Sequence, residues 1–461
     1  MDNYDAIIIG AGQAGVPLAI AFAGAGWSTA LIEKRYVGGT CINDGCTPTK
    51  TMIASADATH LARRVEAYGV HSGPASLDLR RVRQRKTGIV ESFRNGSRRR
   101  LEKAGVHLLM GQASFTGPKT LRVQLNDTGA TQQLTGSRIV INTGARPAMP
   151  PLPGRESTPC LDSTSIMELE KVPTHLLVLG GGYVALEFAQ MFARFGSKVT
   201  LIERGGQLLS REDPDVAEAV LGILREEGLE VLLNANAQQL APGPQGGISL
   251  TVRTPQGDRT VTGSHILMAT GRTPNSDELN LPAAGIKTDD QGYITTNDRL
   301  ETNVPGVYAL GDVKGGPAFT HISYDDYRIL RINLVENGSA SIRGRLVPYT
   351  VFIDPQLGRI GLTEKEAQAQ HRRIQVARLP MTGVARAIEL DRTQGFIKAI
   401  VDQESRQILG AAVLGIEGGE IMSMLEIAMM GKLPYSVLRD GIFAHPTLAE
   451  LLNNLFAGLP G

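Results

Sequence analysis

The sequence predicts an α/β protein: two Rossmann-like dinucleotide-binding domains followed by a C-terminal α+β domain. Three observations predict it. First, the apolar run Ala6-Ile7-Ile8-Ile9 passes into Gly10, Gly12 and Gly15 in G-x-G-x-x-G order. A helix-like stretch then ends near Gly26, and a strand from Ser28 to Ile32 is closed by Glu33. Second, the same grammar returns at Leu176-Leu177-Val178-Leu179. There Gly180, Gly182 and Ala185 open a helix, and the strand Lys198 to Ile202 is closed by Glu203. Third, from about Val347 strand candidates such as Ile397 to Val401 and Gln407 to Leu414 lead into a helical segment, Glu420 to Met430.

In each glycine run the first glycine allows a tight turn and the second lets backbone approach a pyrophosphate. The third position lets the helix pack on its strand, and the helix N-terminus faces the phosphates. Glu33 is placed to accept hydrogen bonds from the ribose hydroxyls of an adenosine. Strand, glycines, helix, second strand and terminal acid occur in order twice, so two nucleotides are expected.

Two further strands end in glycine turns: Ile139 to Ile141 before Thr143-Gly144, and Ile266 to Met268 before Gly271. The proline-rich stretch Arg146 to Gly154 reads as a domain junction, and Ala241 to Gly247 as a hairpin or loop. Val307 to Val313 is a strand ending in Gly311-Asp312, which sets a carboxylate against a polyol such as the ribityl chain of a flavin. The methionines of Glu420 to Met430 are read as filling for a core or a subunit contact.

The chemistry is expected in the run from Gly38 to Lys50. It contains Gly39, Thr40, Cys41, Asp44, Gly45, Cys46 and Lys50. Residues five apart in a regular helix stand about 7.5 Å apart along the axis, whereas a disulfide wants Cα atoms within roughly 7 Å. The stretch is therefore expected to be distorted, with Gly45 making distortion easy. The start of a helix here favours a thiolate. Only three cysteines occur, the usage of a reducing compartment, where a disulfide is more often catalytic than structural. No resident metal is expected, because the run offers no histidine and only Cys160 remains elsewhere.

Composition bounds the rest. A chain of 461 residues with 42% hydrophobic content is too long for one core. A net charge of +1 gives no electrostatic case for nucleic acid or an anionic membrane, and the basic clusters Arg80, Arg81, Arg83, Arg85 and Lys86, then Arg98, Arg99 and Arg100, read as solvated helix faces. No apolar run approaches the roughly 18 residues of a membrane span, and the chain opens directly on a strand without a leader pattern. A cytoplasmic location is expected.

These motifs carry a family resemblance. The chain resembles the pyridine nucleotide–disulfide oxidoreductases, the class of dihydrolipoamide dehydrogenase, glutathione reductase and mercuric reductase. The likeness runs from about Tyr4 to Leu455. It rests on the first glycine run with Glu33, the Cys41–Cys46 run, Gly180 to Glu187, Ala269 to Asn275, Gly311-Asp312, and His445-Pro446-Thr447-Leu448-Ala449-Glu450.

The resemblance implies FAD in a discontinuous domain of residues 1–150 and 272–346, NAD(P)H in residues 151–271, and dimerisation through residues 347–461. Gly10, Gly12, Gly15, Glu33, Gly39, Thr40, Lys50, Thr143, Gly144, Gly311 and Asp312 then belong to the FAD side. Gly180, Gly182, Tyr183, Ala185, Glu203 and Gly271 belong to the nicotinamide side, with Tyr183 covering its pocket. It also implies that Cys46 contacts the flavin while Cys41 exchanges with substrate. Lys50 and Glu187 form an ion pair beside the flavin. His445, oriented by Glu450, serves the disulfide of the other subunit of a homodimer, and an imidazole near neutral pKa suits sulfur protonation. Glu203 favours NADH over NADPH, because a carboxylate accepts the ribose 2′-hydroxyl and repels a 2′-phosphate; Arg204 softens that repulsion.

The pattern departs from its relatives at Asp44, where dihydrolipoamide dehydrogenases and mercuric reductases carry an apolar residue. The tail from Leu455 to Gly461 lacks the cysteine pair of mercuric reductases. With the run from Phe319 to Arg328, this resembles the reactive-chlorine-resistance flavoproteins, a mercuric-reductase-like branch linked to oxidative stress and metal reduction. The expected activity is transfer of electrons from NAD(P)H through Cys41 and Cys46 to a disulfide or a thiophilic metal ion, Cu(II) foremost, bound transiently at the two sulfurs. Alternatives are a dihydrolipoamide dehydrogenase, a mercuric reductase-like enzyme and a flavin-bearing redox sensor.

Overall fold

The computed structural model describes residues 2–71 and 73–459, so the last two residues of the tail, Pro460 and Gly461, lie outside the described residues. The first sheet has the parallel order His107–Gly117, Thr29–Glu33, Asp2–Ile9, Thr131–Ile141, Val307–Ala309. Thr120–Leu125 lies antiparallel to both of the eleven-residue strands, His107–Gly117 and Thr131–Ile141. Ala6 to Ile9 are buried throughout, because a central parallel strand is covered on both faces. The register pairs Ile9 with Ile32 and Ile141, and Ile141 with Ala309. The strand ends are therefore level, and the segments after them share one edge of the sheet, where α/β proteins bind ligands.

A second parallel sheet runs His265–Met268, His175–Leu179, Lys198–Ile202, Glu230–Leu232, with its carboxyl ends level in the same way. Helix Tyr183–Phe195 covers it and is buried along most of its length. Three antiparallel strands follow, and Ala241 to Gly247 forms the turn between the first two of them. An antiparallel ribbon, Ala145–Pro147 with Arg272–Pro274, joins the two passes of chain between the sheets.

The third sheet is antiparallel, in the order Tyr349–Val351, Gln356–Gly361, Ile408–Gly415, Phe396–Asp402, Ile374–Pro380. Helix Gly418–Met430 packs on it so closely that a Cβ at Gly358 would stand 2.3 Å from the Gly418 carbonyl oxygen. On this helix Met422 and Leu425 are buried, whereas Ile427 and Met430 are exposed.

Buried ion clusters tie these parts together. Arg194, in helix Tyr183–Phe195, pairs with Asp57, Glu227 and Asp354. Lys398, on the third sheet, is 2% exposed and pairs with Asp213, Asp215 and Glu364. Lys86 corrects the expectation of a solvated helix face, because it is buried against Glu168, which pairs with its ammonium. One apolar cluster runs continuously from Met52 through Phe188 and Leu201 to Leu357 and Leu414. Among the described residues no helix is long and apolar enough to cross a membrane.

Candidate active site

The strand ends of the first sheet open onto a cavity of about 1110 Å³, above the roughly 300–1,000 Å³ of ordinary small-molecule pockets. Its floor is the glycine loop. Gly10 has φ +103°, and a Cβ there would stand 2.3 Å from the Asn142 carbonyl oxygen. Gly39 has φ +62°, and its Cβ would stand 2.7 Å from the Gly12 Cα, so the cysteine run lies directly on the loop. A Cβ at Gly15 would meet the Gly10 carbonyl oxygen at 2.2 Å, which is how the helix Gly15–Gly24 approaches its strand. Glu33 accepts the backbone N–H groups of Ala11 at 2.9 Å and Arg35 at 2.7 Å, and burial pushes its carboxyl pKa up.

The cysteine run breaks into two helices. Cys41 sits in the short helix Gly39–Asn43, and Cys46 is the first residue of helix Cys46–Arg64. The break at Asp44 and Gly45 supplies the expected distortion, with Gly45 at φ −132°, ψ −118°. Only Cys46 begins a long helix, so only Cys46 gains its positive end. Both residues are free thiols, Cys46 exposed and Cys41 half-buried.

The two sulfurs are electrostatically unequal. A hydrogen bond from Cys41, the Thr320 hydroxyl at 3.4 Å and the charge of Lys50 pull the Cys46 thiol down to about 6 against the partial desolvation of a sulfur set in the cavity wall. The hydrogen bond to Cys46 and burial push the Cys41 thiol up. The surroundings favour charge on Cys46 over charge on Cys41. Asp44 is ion-paired with Arg35 at 2.9 Å, and burial raises its carboxyl pKa.

One turn along from Cys46, Lys50 donates to Glu187 Oε2 at 2.7 Å, and the backbone N–H of Phe352 donates to Glu187 Oε1 at 2.9 Å. Glu187 is 3% exposed, so both oxygens need these partners. The Lys50 ammonium also lies 4.7 Å from the centre of the Phe352 ring. Tyr183 lines the same cavity, and burial raises its phenol pKa.

Asp312 closes the far side. Burial raises its carboxyl pKa, and Arg272 Nε stands 3.7 Å away without a hydrogen-bond partner of its own. Behind it the fully buried Asp326 accepts the Gly311 N–H at 2.9 Å and pairs with Arg345 and Lys314. Thr143 and Gly144 line the cavity, with Thr143 bonded to Asn275.

Gly180, Gly182, Ala185, Glu203 and Gly271 of the second unit lie outside this cavity's lining, although Tyr183 and Glu187, on the helix that carries Ala185, are in it. A Cβ at Gly180 would stand 2.4 Å from the Ala269 carbonyl oxygen. Gly182 precedes the helix containing Ala185, and Gly271 caps the ribbon by accepting the Ala148 N–H. Glu203 folds onto the loop: its Oε1 accepts the Gly205 N–H at 2.6 Å, and a Cβ on Gly181 would stand 2.7 Å from its Oε2. His445 and Glu450 also lie apart. Their side chains meet at 2.8 Å through Nδ1, and His445 is 67% exposed on a face that does not line its own chain's cavity.

Residues 4–326 match the family described as pyridine nucleotide-disulphide oxidoreductase, and residues 347–456 match its dimerisation domain. The chain belongs to the pyridine nucleotide-disulphide oxidoreductase family. It is 40% identical to the probable pyridine nucleotide-disulfide oxidoreductase RclA of Escherichia coli strain K12 over 99% of each chain. It is 33% identical to a mercuric reductase of Staphylococcus aureus, over 97% of this chain and 81% of that one. The solved Cu(II) complex of the HOCl-induced flavoprotein disulfide reductase RclA from Escherichia coli superposes with a TM-score of 0.90 at 38% identity over both full chains.

As a member of this family the chain is an oxidoreductase whose chemistry uses FAD and a pyridine nucleotide. The residues fit FAD: glycine positions that admit no Cβ, a half-buried carboxylate at Asp312, an orphaned Arg272 Nε, and a lysine beside the thiol pair. Sequence reasoning passed over Thr320, Phe352 and Asn142. Phe352 offers a main-chain N–H to Glu187 and its ring to Lys50, and Asn142 offers its carbonyl beside Gly10 and its side-chain amide to the Gly10 oxygen, contacts made across the fold that no local pattern announces. Thr320 had one usable signal, a hydroxyl shortly after Gly311-Asp312.

Proposed function

We propose that this chain is a homodimeric flavoprotein reductase that takes electrons from NADH and delivers them through Cys46 and Cys41 to a thiophilic cation, Cu(II) before a small disulfide, in defence against oxidants or metals. The observation that carries it is the unequal thiol pair on the wall of the glycine-floored cavity. FAD, held by the first unit's glycines, Glu33, Thr40, Thr143, Gly144 and Asp312, supplies the ring that relays an electron pair from nicotinamide to the cysteines. The domain division expected from sequence, 1–150 with 272–346, 151–271 and 347–461, is part of the same reading.

Cys46 rests as the thiolate next to the flavin site, with Thr320 and Lys50 stabilising its charge. Cys41 is the exchanging thiol. It binds the cation once its proton is withdrawn by the His445–Glu450 pair of the other protomer. Two thiolates then reduce two Cu(II) to two Cu(I) and become the disulfide, which the hydride equivalent of one NADH returns to the Cys46 thiolate and the Cys41 thiol, leaving NAD⁺. The exposure of His445 and its distance from its own cavity support a site shared between protomers. The apolar residues on helix Gly418–Met430, Ile427 and Met430, offer a contact surface. NADH is favoured because Glu203 lies over the second glycine loop. A reducing cytoplasm suits the free thiols. Copper is preferred because the RclA of Escherichia coli, alike over its whole length, was solved as a Cu(II) complex.

The test compares NADH-dependent reduction of Cu(II), of a small disulfide and of lipoamide by the FAD-loaded protein at matched concentration. Cys41→Ser is expected to abolish acceptor reduction while NADH still bleaches the flavin. Cu(II) reduction by Cys41→Ser at the wild-type rate removes the dithiol route, and lipoamide turnover far above that of Cu(II) replaces the metal reading with a dihydrolipoamide dehydrogenase.

A further inference from the structure

Tyr183, first residue of helix Tyr183–Phe195, has one ring neighbour, Phe319. Their centroids are 5.9 Å apart, with planes 39° apart. Phe319 in turn stacks nearly parallel with His321, at 5.3 Å and 10°, and with Tyr349, at 5.4 Å and 11°. Each of these outer rings is tied down. A carbonyl can only accept, so His321 Nε2–H donates to Pro348 at 2.7 Å. The Tyr349 hydroxyl bonds to Glu212, which is buried and paired with Arg359 at 3.3 Å. The stack draws on all three parts of the fold. Phe319 and His321 flank the start of helix Thr320–Leu334, Tyr183 and Glu212 follow strands of the second sheet, and Tyr349 with Arg359 belongs to the third. Phe319 therefore cannot follow Tyr183 when that ring moves.

We propose that Phe319 is the latch of the nicotinamide gate: its anchored ring holds Tyr183 closed over the nicotinamide pocket, and cofactor entry has to break that ring contact. This rests on the reading that Tyr183 covers the pocket. A closed state lowers the apparent affinity of a ligand by the fraction of molecules that are open. Losing the latch raises the open fraction, so NADH binds better and the flavin is less shielded from oxygen. Phe319 is a positioning residue. It acts through Tyr183 and has no part in the sulfur chemistry.

The experiment measures KM for NADH, kcat with a saturating acceptor, and NADH oxidation by oxygen alone, in FAD-loaded wild type, Phe319→Leu, Phe319→Tyr and Tyr183→Ala. An aromatic pair of this kind carries weight for about a 2- to 10-fold change. Phe319→Leu is expected to lower KM for NADH and raise the oxygen rate by that factor with kcat unchanged, and Phe319→Tyr, which keeps a ring, to restore wild-type values. If Phe319→Leu does not retain FAD, Phe319→Met keeps the volume without the ring and is expected to show the same shifts. Unchanged or raised KM in the ring-less variants, beside a lowered KM in Tyr183→Ala, overturns the latch and leaves the gate standing. No change in Tyr183→Ala overturns the gate itself, and the latch with it.

Discussion

The Thr320 hydroxyl lies 3.4 Å from the Cys46 sulfur, across 274 residues of chain. Each residue opens a helix, so two helix N-termini present their first side chains to one sulfur. A thiolate there gains a hydroxyl donor and the positive ends of two helices.

Thr320→Val removes the donor and keeps the shape. A hydrogen bond to a charged group contributes about 1.5–3 kcal/mol, and one pKa unit corresponds to about 1.4 kcal/mol. The Cys46 pKa is expected to rise by about 1–2 units from its value of about 6. Titrating thiolate absorbance in the reduced protein checks this, and a midpoint equal to wild type removes Thr320 from the account.

The same depressed pKa makes the reduced protein's stability depend on pH. Cys46 titrates at about 6 when folded and at about 8.5 when unfolded, so the unfolded chain binds the extra proton between those values. The stability it contributes is complete above roughly pH 8.5, declines as pH falls, and is gone once pH passes below the folded value. Cys41, raised above the ordinary range, stays protonated when folded, and because the unfolded thiol ionises only as pH nears 8.5 it subtracts from this stability only at the top of the window. The melting temperature of the reduced form, relative to the oxidised form, is expected to drop between pH 8.5 and pH 6; a difference independent of pH contradicts the assignment.

Lys50→Met leaves Glu187 buried with one backbone partner instead of two partners. Removing one member of a buried pair costs about 3–5 kcal/mol, and the partial exposure of Lys50 puts this case at the lower end, about 3 kcal/mol. The unfolding midpoint in urea should fall accordingly. Lys50→Met with Glu187→Gln should recover much of the loss, because the double variant buries no uncompensated charge.

A shared active site predicts complementation. Mixed dimers carrying Cys41→Ser on one protomer and His445→Ala on the other contain one intact site, formed from the His445 and Cys41 that remain. Co-expression with two affinity tags isolates them, and about half the wild-type acceptor reduction is expected. Activity no higher than that of either parent homodimer argues for sites complete within one chain.

Much of this architecture was legible because parallel strands write their burial directly into sequence. Ala6 to Ile9 and Leu176 to Leu179 are unbroken apolar runs, and the glycines after them are positions where a Cβ collides with backbone. Of the methionines on helix Gly418–Met430, read as filling for a core or a subunit contact, Met422 lies in the core and Met430 is exposed on the single chain. The cysteine run was legible in kind but not in form. The expected helix start holds for Cys46 alone, because Gly45 ends one helix and begins another.

By itself the sequence determined which residues of each element are buried, where the chain must turn tightly, and which two sulfurs share one short run, because these depend on neighbours close in the chain. Only the tertiary structure decided how those sulfurs differ. It set Thr320 and Lys50 against Cys46, Phe352 against Glu187, and Phe319 against Tyr183. Those pairings join elements with no local pattern in common. Electrostatic and ring contacts fall off over a few ångströms, so they exist only once the sheets have packed and brought the partners together.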